Sequence, residues 1–161
     1  MGKIVSLERL IKIRDNARSE GLKVVFTNGC FDLLHLGHID YLQKSKKSGD
    51  ILIVGLNSDS SVRKIKGKGR PIQSQKDRAS ILAALQFVDY VCIFGDLTPI
   101  KLISRLLPDY LVKGSDWKIK DIVGKDIVES SGGKVLTIKM VKGKSTQKII
   151  QTILKNLRKI R

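Results

Sequence analysis

The chain has 161 residues, of which 42% are hydrophobic and 5% aromatic, and its formal net charge at pH 7 is +16. This length suits one domain with one core, and no apolar run approaches the roughly 20 residues of a membrane-spanning helix. With two cysteines and no secretion signal, we expect a cytoplasmic location and no membrane partner. The charge leaves two classes open, a nucleic-acid-binding surface and an enzyme whose substrates are polyanions.

Strand-like and helix-like segments alternate along the chain. An N-terminal helix is predicted within residues 1–22, and a C-terminal helix over 145–160 has apolar residues at helical spacing. Between them we predict strands at 23–27, 51–56, 90–94, 110–113 and 134–139, and helices at about 37–47, 75–87, 98–108 and 121–131. The segment from Arg63 to Arg70 is predicted to be a mobile basic loop. The pattern predicts a single Rossmann-like α/β domain over residues 1–161, with a five-stranded parallel sheet and helices on both faces.

Polar and glycine-rich segments follow each predicted strand. They are Asn28–Gly29 with Asp32, then 57–59, 95–96, 113–116 and 142–146. Because ligands of open parallel sheets bind beyond the carboxyl ends of the strands, these segments predict one site along a single rim.

The two histidines of the chain, His35 and His38, stand three residues apart where the first of these strands leads into a helix. That spacing puts both imidazoles on one side of a helix start, where free N–H groups and the helix dipole suit a phosphate. Gly37 would let a phosphate approach the backbone, and Asn28 and Gly29 would allow a tight turn before the helix. Two histidines with ordinary core or surface hydrogen bonds are the alternative. A zinc site is not favoured, because no third ligand stands at a suitable spacing, and no metal ligand is assigned.

Three further segments have both a functional and an ordinary interpretation. Residues 142–146 form either a second phosphate cradle or an ordinary capped helix start, and 63–70 either a clamp over anionic substrate or a solvated charge run. In the third, Asp116 is a candidate for orienting a ribose or a base, and Trp117 either stacks on a ring or covers the core. Cys30 is interpreted as a packing residue in a tight turn.

The segment GCFDLLHLGH, residues 29–38, resembles the signature of the HxGH nucleotidyltransferase superfamily. Over nearly its whole length the chain is more closely similar to the heptose 1-phosphate adenylyltransferases of lipopolysaccharide precursor synthesis. The matching segments are FTNGCFDLLHLGHIDYL, VGLNSDSSVRKIKGKGRPI, DRASILAAL, DYLVKGSDW and VKGKSTQKII. The KGKGRPI and VKGSDW segments point to the heptose branch.

The resemblance implies a reaction and a set of site residues. ATP and D-glycero-D-manno-heptose 1-phosphate would give ADP-heptose and pyrophosphate, with Mg²⁺ bound through the nucleotide phosphates, in a homodimer. The implied catalytic residues are His35, His38 and Lys66. The implied nucleotide-binding residues are Asn28, Gly29, Cys30, Phe31, Gly37, Lys113, Gly114, Asp116, Ser145 and Thr146. The implied substrate-binding residues are Asp32, Asp59, Arg63 and Arg70.

Three departures from the resemblance bear on its details. The length leaves no room for the sugar kinase domain that many relatives carry, so a stand-alone adenylyltransferase is expected. Gln147 stands where relatives often have a second threonine, and Met140–Gly143 replaces the Arg-Thr-Glu-Gly of cytidylyltransferases, which argues against CTP. A glycerol- or alditol-phosphate cytidylyltransferase is the first alternative. A basic nucleic-acid-binding domain is less favoured, because few aromatic residues are available for base stacking.

Overall fold

Six parallel strands form one sheet in the computed structural model, which describes residues 1–160. The strands are β1 (Lys3–Ile4), β2 (Val24–Gly29), β3 (Ile51–Asn57), β4 (Tyr90–Phe94), β5 (Tyr110–Gly114) and β6 (Lys134–Ile138). The helices are α1 (Leu7–Ser19), α2 (Leu36–Lys46), α3 (Asp59–Lys66), α4 (Gln75–Ala84), α5 (Ile100–Leu106), α6 (Lys125–Ser130) and α7 (Thr146–Ile160), with a 3₁₀ turn at Ile119–Asp121. The strand order is β1-β4-β3-β2-β5-β6. After the central strand β2, the chain adds β3 and β4 on one side, and it then crosses to the other side of β2 to add β5 and β6.

The predicted number of five strands is wrong by one. The extra strand, β1, has two residues and pairs with Tyr90 and Val91 at the edge of the sheet. So short a strand has no alternation of its own, and its pairing partners lie more than eighty residues away in the chain.

Helices cover both faces of the sheet, as predicted. Strand residues such as Phe26 and Ile53 pack on one face against α1, α5 and α6 through Leu10, Ile103 and Val128. On the other face, β-strand residues including Val54 pack against α2 and α4, which contribute Leu42, Leu82 and others. Because both of its faces are buried, the central strand β3 is a nearly continuous apolar run, as is typical of parallel sheets.

The structure changes two predicted elements. Arg63, Lys64 and Lys66 belong to α3, whose start is capped where the Ser58 hydroxyl accepts from the Ser61 N–H at 3.2 Å. The predicted basic loop is therefore reduced to a short link around Gly67 and Gly69, which have φ of 87° and 79°.

The helix predicted over 121–131 begins only at Lys125. Gly124, at φ 87°, separates the 3₁₀ turn from α6, and a Cβ there would collide with the side chain of Ile103. Within residues 1–160, no helix is both long and apolar enough to cross a membrane.

Candidate active site

A cleft of about 740 Å³ opens at the carboxyl ends of the strands. It lies over the centre of the sheet, where the neighbouring strands β2 and β5 lead into crossovers on opposite sides. The residues that line it and were predicted as site residues are Asn28, Gly29, Cys30, Phe31, Asp32, His35, His38, Lys66, Arg70, Lys113, Asp116, Ser145 and Thr146. The rim predicted from sequence is thus one concave surface, at the position where open α/β sheets bind ligands.

His35 and His38 stack at the start of α2. Their ring centroids are 3.8 Å apart with an interplanar angle of 20°, since His35 is the N-cap residue and His38 lies in the first turn. In residues 1–160, the buried side-chain nitrogen and oxygen atoms without a hydrogen-bond partner are the Nδ1 atoms of these two histidines. Buried polar groups are nearly always paired, so two neighbouring exceptions that line a cleft indicate a polar ligand.

Burial keeps both imidazoles in the neutral form. Desolvation, reinforced by the neighbouring His35, lowers the pKa of His38 to about 4. The pKa of His35 is also lowered, by desolvation and by the charge of Lys144. At pH 7 the pair therefore offers N–H donors to a ligand rather than two positive charges.

This arrangement makes stability depend on pH. His38 binds a proton near pH 6.5 when unfolded but only near pH 4 when folded, so its contribution is present above pH 6.5 and is lost as pH falls toward 4. We expect the free energy of unfolding to fall by about 2 kcal/mol between pH 7 and pH 5 through this group. Urea unfolding at both pH values measures it, and His38→Gln should remove most of the difference. An equal pH dependence in the two proteins would contradict the assignment.

Phe31 holds the histidine pair from one side. Its φ is 42°, in the left-handed region that a bulky residue rarely adopts, and its ring meets His38 edge to face at 5.2 Å between centroids. A Cβ on Gly29 would lie 3.0 Å from the Phe31 ring, so a larger residue there would push on the ring. Strain of this kind is stored at functional sites when the surroundings impose it.

The glycines of this region act differently from the sequence prediction. Asn28 and Gly29 are the last residues of β2 rather than a turn. The space beside Gly37 is taken by the His35 ring, since a Cβ on Gly37 would lie 3.0 Å from its Nδ1. Gly37 is buried and does not line the cleft, so it makes room for an imidazole rather than for a phosphate.

Asp32 lines the cleft, but its carboxylate is committed to the protein. It is 1% exposed and accepts from Arg70 Nε at 2.5 Å and from the backbone N–H groups of Ile72 and Gln73 at 2.8 and 3.1 Å. A carboxylate with three donors is a structural anchor. The structure therefore points to Asp32 as the residue that holds Arg70 at the rim.

Arg78 is an organising residue that sequence reasoning missed. Its side chain is fully buried, and its guanidinium donates to the carbonyls of Cys30, Asn57 and Gln73 and to the Asp59 carboxylate, at 2.6 to 3.1 Å. Cys30 follows β2, Asn57 ends β3 just before Asp59 begins α3, and Gln73 precedes α4, so one side chain ties three segments behind the cleft. Arg78 follows Gln75, Lys76 and Asp77 in the polar first turns of α4, a context that gives no sequence signal of this role.

Two residues predicted to bind substrate do not reach the cleft. Asp59 and Arg63 lie on α3 outside its lining, and the Asp59 carboxylate pairs with Arg78 at 2.7 Å. Gly114 also lies outside the lining, and a Cβ there would collide with Asp116 and approach Met140. Cleft residues that were not given a role include Ile65, Thr98, Met140 and Gln147, whereas Asn57 and Lys144 belong to segments predicted to form the rim.

Lys113, Asp116 and Trp117 form the β5 side of the cleft. Lys113 Nζ donates to Asn28 Oδ1 at 2.5 Å and lies 5.9 Å from the centroid of the Trp117 ring. Desolvation lowers the pKa of Lys113 to about 8, with Asp116 acting in the opposite direction. Trp117 is 47% exposed, so its ring lies at the mouth of the cleft and does not cover the core.

The start of α7 closes the opposite side. Thr146 Oγ1 donates to the Leu33 carbonyl at 3.2 Å, and Ser145 Oγ accepts from the Lys148 N–H at 3.2 Å. Ser145 therefore caps α7 as an ordinary helix start does, while Lys144 beside it lines the cleft. The ordinary capped helix start predicted for the 142–146 segment is therefore observed, and the phosphate cradle stays a prediction.

Cys30 is half-buried and lines the cleft, but its thiol is not activated. Burial raises the pKa of its thiol, even though Lys66, Arg78 and Arg70 act in the opposite direction. A thiol with a raised pKa is protonated at pH 7 and is a poor nucleophile.

The cleft matches a known family. The sequence profile of the cytidylyltransferase-like family covers residues 26–157, which include every cleft residue. This chain belongs to that family. The match confirms the superfamily resemblance carried by the segment around His35 and His38, and it places both histidines within the family's domain.

Individual relatives agree with this assignment. The chain is 53% identical over 152 residues to the bifunctional protein HldE of Citrifermentans bemidjiense, an alignment that covers 94% of this chain and 31% of that protein. The chain thus spans about a third of the length of such relatives. A lipopolysaccharide core biosynthesis protein from Thermoplasma volcanium is similar in structure, with a TM-score of 0.63 and 31% identity over 77% of this chain and all of that one. Pantoate-beta-alanine ligase from Francisella tularensis, at 18% identity and a TM-score of 0.62, covers 98% of this chain and 80% of its own and shares the fold.

Proposed function

We propose that this chain transfers the adenylyl group of ATP to D-glycero-D-manno-heptose 1-phosphate, giving ADP-heptose and pyrophosphate. A phosphate oxygen of the sugar phosphate attacks the α-phosphorus, and the bond from the α-phosphorus to the bridging oxygen of pyrophosphate breaks. The single observation that carries the proposal is the stacked, unpartnered histidine pair in the cleft. The choice of heptose is supported by the resemblance of the KGKGRPI and VKGSDW segments.

The chemistry asks for positioning and charge stabilisation rather than a strong base. A sugar phosphate is already an anion at pH 7, so its oxygen needs no deprotonation. In this proposal His35 and His38 donate N–H hydrogen bonds to the phosphate oxygens on which charge develops, at the positive end of α2. Trp117, Lys113 and Asp116 lie across the cleft, where a base and ribose would be held.

Lysines on the two sides of the cleft would bind the triphosphate and the leaving pyrophosphate. Lys66 is exposed at the C-terminal end of α3, next to Gly67, and Lys144 precedes α7. Because the two lysines extend from different elements, their positive charges would neutralise the negative charge at both ends of an elongated polyphosphate. Arg70 is held by Asp32, so it supplies a charge at a fixed position.

We propose that Mg²⁺ accompanies the nucleotide and is bound through its phosphates. The donor set fits this role, because within residues 1–160 no three His, Cys, Asp or Glu side chains are grouped to hold a metal ion, and the Asp32 carboxylate already has three donors. Mg²⁺ is commonly bound by substrate phosphates with few protein ligands, and it would neutralise charge on them. We further propose a homodimer in the cytoplasm, where the free thiols Cys30 and Cys92 would stay reduced.

A substrate panel tests the function. Pyrophosphate release is measured with ATP or CTP, each combined with heptose 1-phosphate or glycerol 3-phosphate, with and without Mg²⁺. We expect turnover with ATP and heptose 1-phosphate in the presence of Mg²⁺, and at least about tenfold lower kcat/KM for the other pairs. Turnover with CTP alone would identify a cytidylyltransferase instead. Salt-sensitive nucleic-acid binding without any turnover would indicate the nucleic-acid-binding alternative.

A further inference from the structure

The outer part of α7 is a helix that the rest of the domain leaves uncovered. Every residue from Gln151 to Ile160 is exposed, and the exposed fractions of Ile153, Leu154 and Leu157 are 50%, 52% and 55%. The start of the helix is held to the domain by the Thr146 hydrogen bond to Leu33, and Ile149 and Ile150 are half-buried. A contiguous apolar face of this kind on a helix surface marks a contact site.

The side chains of α7 separate into two faces. At about 100° per residue, its apolar residues fall within an arc of about 140°. They are Ile149, Ile150, Ile153, Leu154, Leu157 and Ile160. The basic residues Lys148, Lys155, Arg158 and Lys159 all lie outside this arc, and the helix contains no Asp or Glu.

These charges decide which surface suits the helix. A second copy would bring an identical, purely basic helix on a chain of net charge +16, so pairing of two α7 helices is opposed by like charges. An anionic lipid surface has the complementary charge. A helix with an aliphatic face and a Lys/Arg-rich polar face lies in such an interface, with its apolar side chains at the boundary between headgroups and acyl chains.

We propose that α7 binds the surface of an anionic lipid bilayer, lying parallel to it. Its 15 residues extend about 22 Å, enough for one flat contact and too short to span. The sequence-based expectation of no membrane partner considered spanning segments and secretion signals, and an interfacial helix has neither signature. The contact does not depend on the proposed reaction, because the residues after Gln147 do not line the cleft.

Vesicle flotation tests the proposal on the full chain. We expect it to float with vesicles of phosphatidylcholine containing about 30% phosphatidylglycerol, at least about tenfold more strongly than with phosphatidylcholine alone. Ile153→Gln/Leu157→Gln should lower the partition coefficient at least about tenfold without changing the charge. Lys155→Gln/Lys159→Gln should lower it by about tenfold or more, because each lysine near the surface adds attraction. The control Lys12→Gln/Lys76→Gln removes the same charge from exposed sites on α1 and α4 and should change it less than about threefold.

Each other outcome overturns the proposal. If the chain does not float with anionic vesicles, α7 is not an interfacial helix. If Ile153→Gln/Leu157→Gln floats as the unmodified chain does, the adsorption comes from overall charge alone. If sedimentation equilibrium shows a dimer that this double variant converts to monomer, the apolar face is covered by a second copy. Pyrophosphate release, measured without vesicles, reports separately on the proposed function.

Discussion

Replacement of His38 by alanine is expected to lower kcat for pyrophosphate release by about 100- to 1,000-fold, while the affinity for nucleotide changes far less. The reason is that His38 is neutral, half-buried at the start of α2 and stacked on His35, where its N–H would meet charge that develops only in the transition state. Steady-state kinetics give kcat, and calorimetry with a non-hydrolysable ATP analogue gives the affinity.

Two controls accompany this measurement. Gln43→Ala changes an exposed residue of the same helix and should leave kcat and affinity unchanged. Urea unfolding of His38→Ala at pH 7 establishes that the loss is not one of folding, since His38 also contacts Phe31. If affinity fell in the same proportion as kcat/KM while kcat held, His38 would be a binding residue without a transition-state role.

Replacement of Arg78 by methionine is expected to lower the free energy of unfolding by about 3 kcal/mol or more. The substitution keeps much of the volume but leaves three backbone carbonyls and the Asp59 carboxylate without their donor. The acceptors belong to the segments that carry Cys30 and Asn57. We therefore expect the cleft to unfold at a lower urea concentration than the rest of the sheet. Urea unfolding followed by circular dichroism measures the loss.

The matched control is Arg105→Met, on the exposed side of α5, which should change the free energy of unfolding by less than about 0.5 kcal/mol. Arg78→Lys should be nearly as destabilising as Arg78→Met, because one ammonium cannot reach acceptors spread around a planar guanidinium. If Arg78→Lys were as stable as the unmodified chain, the ion pair with Asp59 alone, rather than the four hydrogen bonds, would account for the stabilisation by Arg78.

The sequence predicts the parts of this fold that have local causes. The central strands β2 and β3 are largely buried apolar runs, the other three longer strands are short and rich in apolar residues, and α7 shows its helical spacing plainly, so these elements are predicted within a few residues. β1 was missed because its two residues are a strand only through pairing with β4. The helix α6 begins at Lys125 rather than near residue 121 because Gly124 passes close to Ile103. This contact joins residues far apart in the chain, so no local pattern contains it.

The same division applies to the site. The rim could be predicted because polar residues after parallel strands must meet at one edge, and the histidine spacing predicts that both imidazoles lie on one side of the helix start, where the structure stacks them. The partners of charged residues could not be predicted. Asp32, Asp59 and Arg70 have the composition of a substrate site, yet Asp32 pairs with Arg70 and Asp59 with Arg78. A charge pattern does not distinguish a group that faces a ligand from one that holds the protein together.

The three hydrogen bonds that the Asp32 carboxylate accepts also determine where insertions and deletions can be tolerated in this chain. Residues 70–73 converge on one buried carboxylate next to the histidine segment, so an insertion or deletion within them would displace the strand-to-helix junction itself. Between Lys66 and Arg70 the situation is the opposite, because Gly67 and Gly69 have open space where a side chain would lie. Natural or engineered changes of length should therefore be tolerated between these two basic residues and rejected just beyond Arg70.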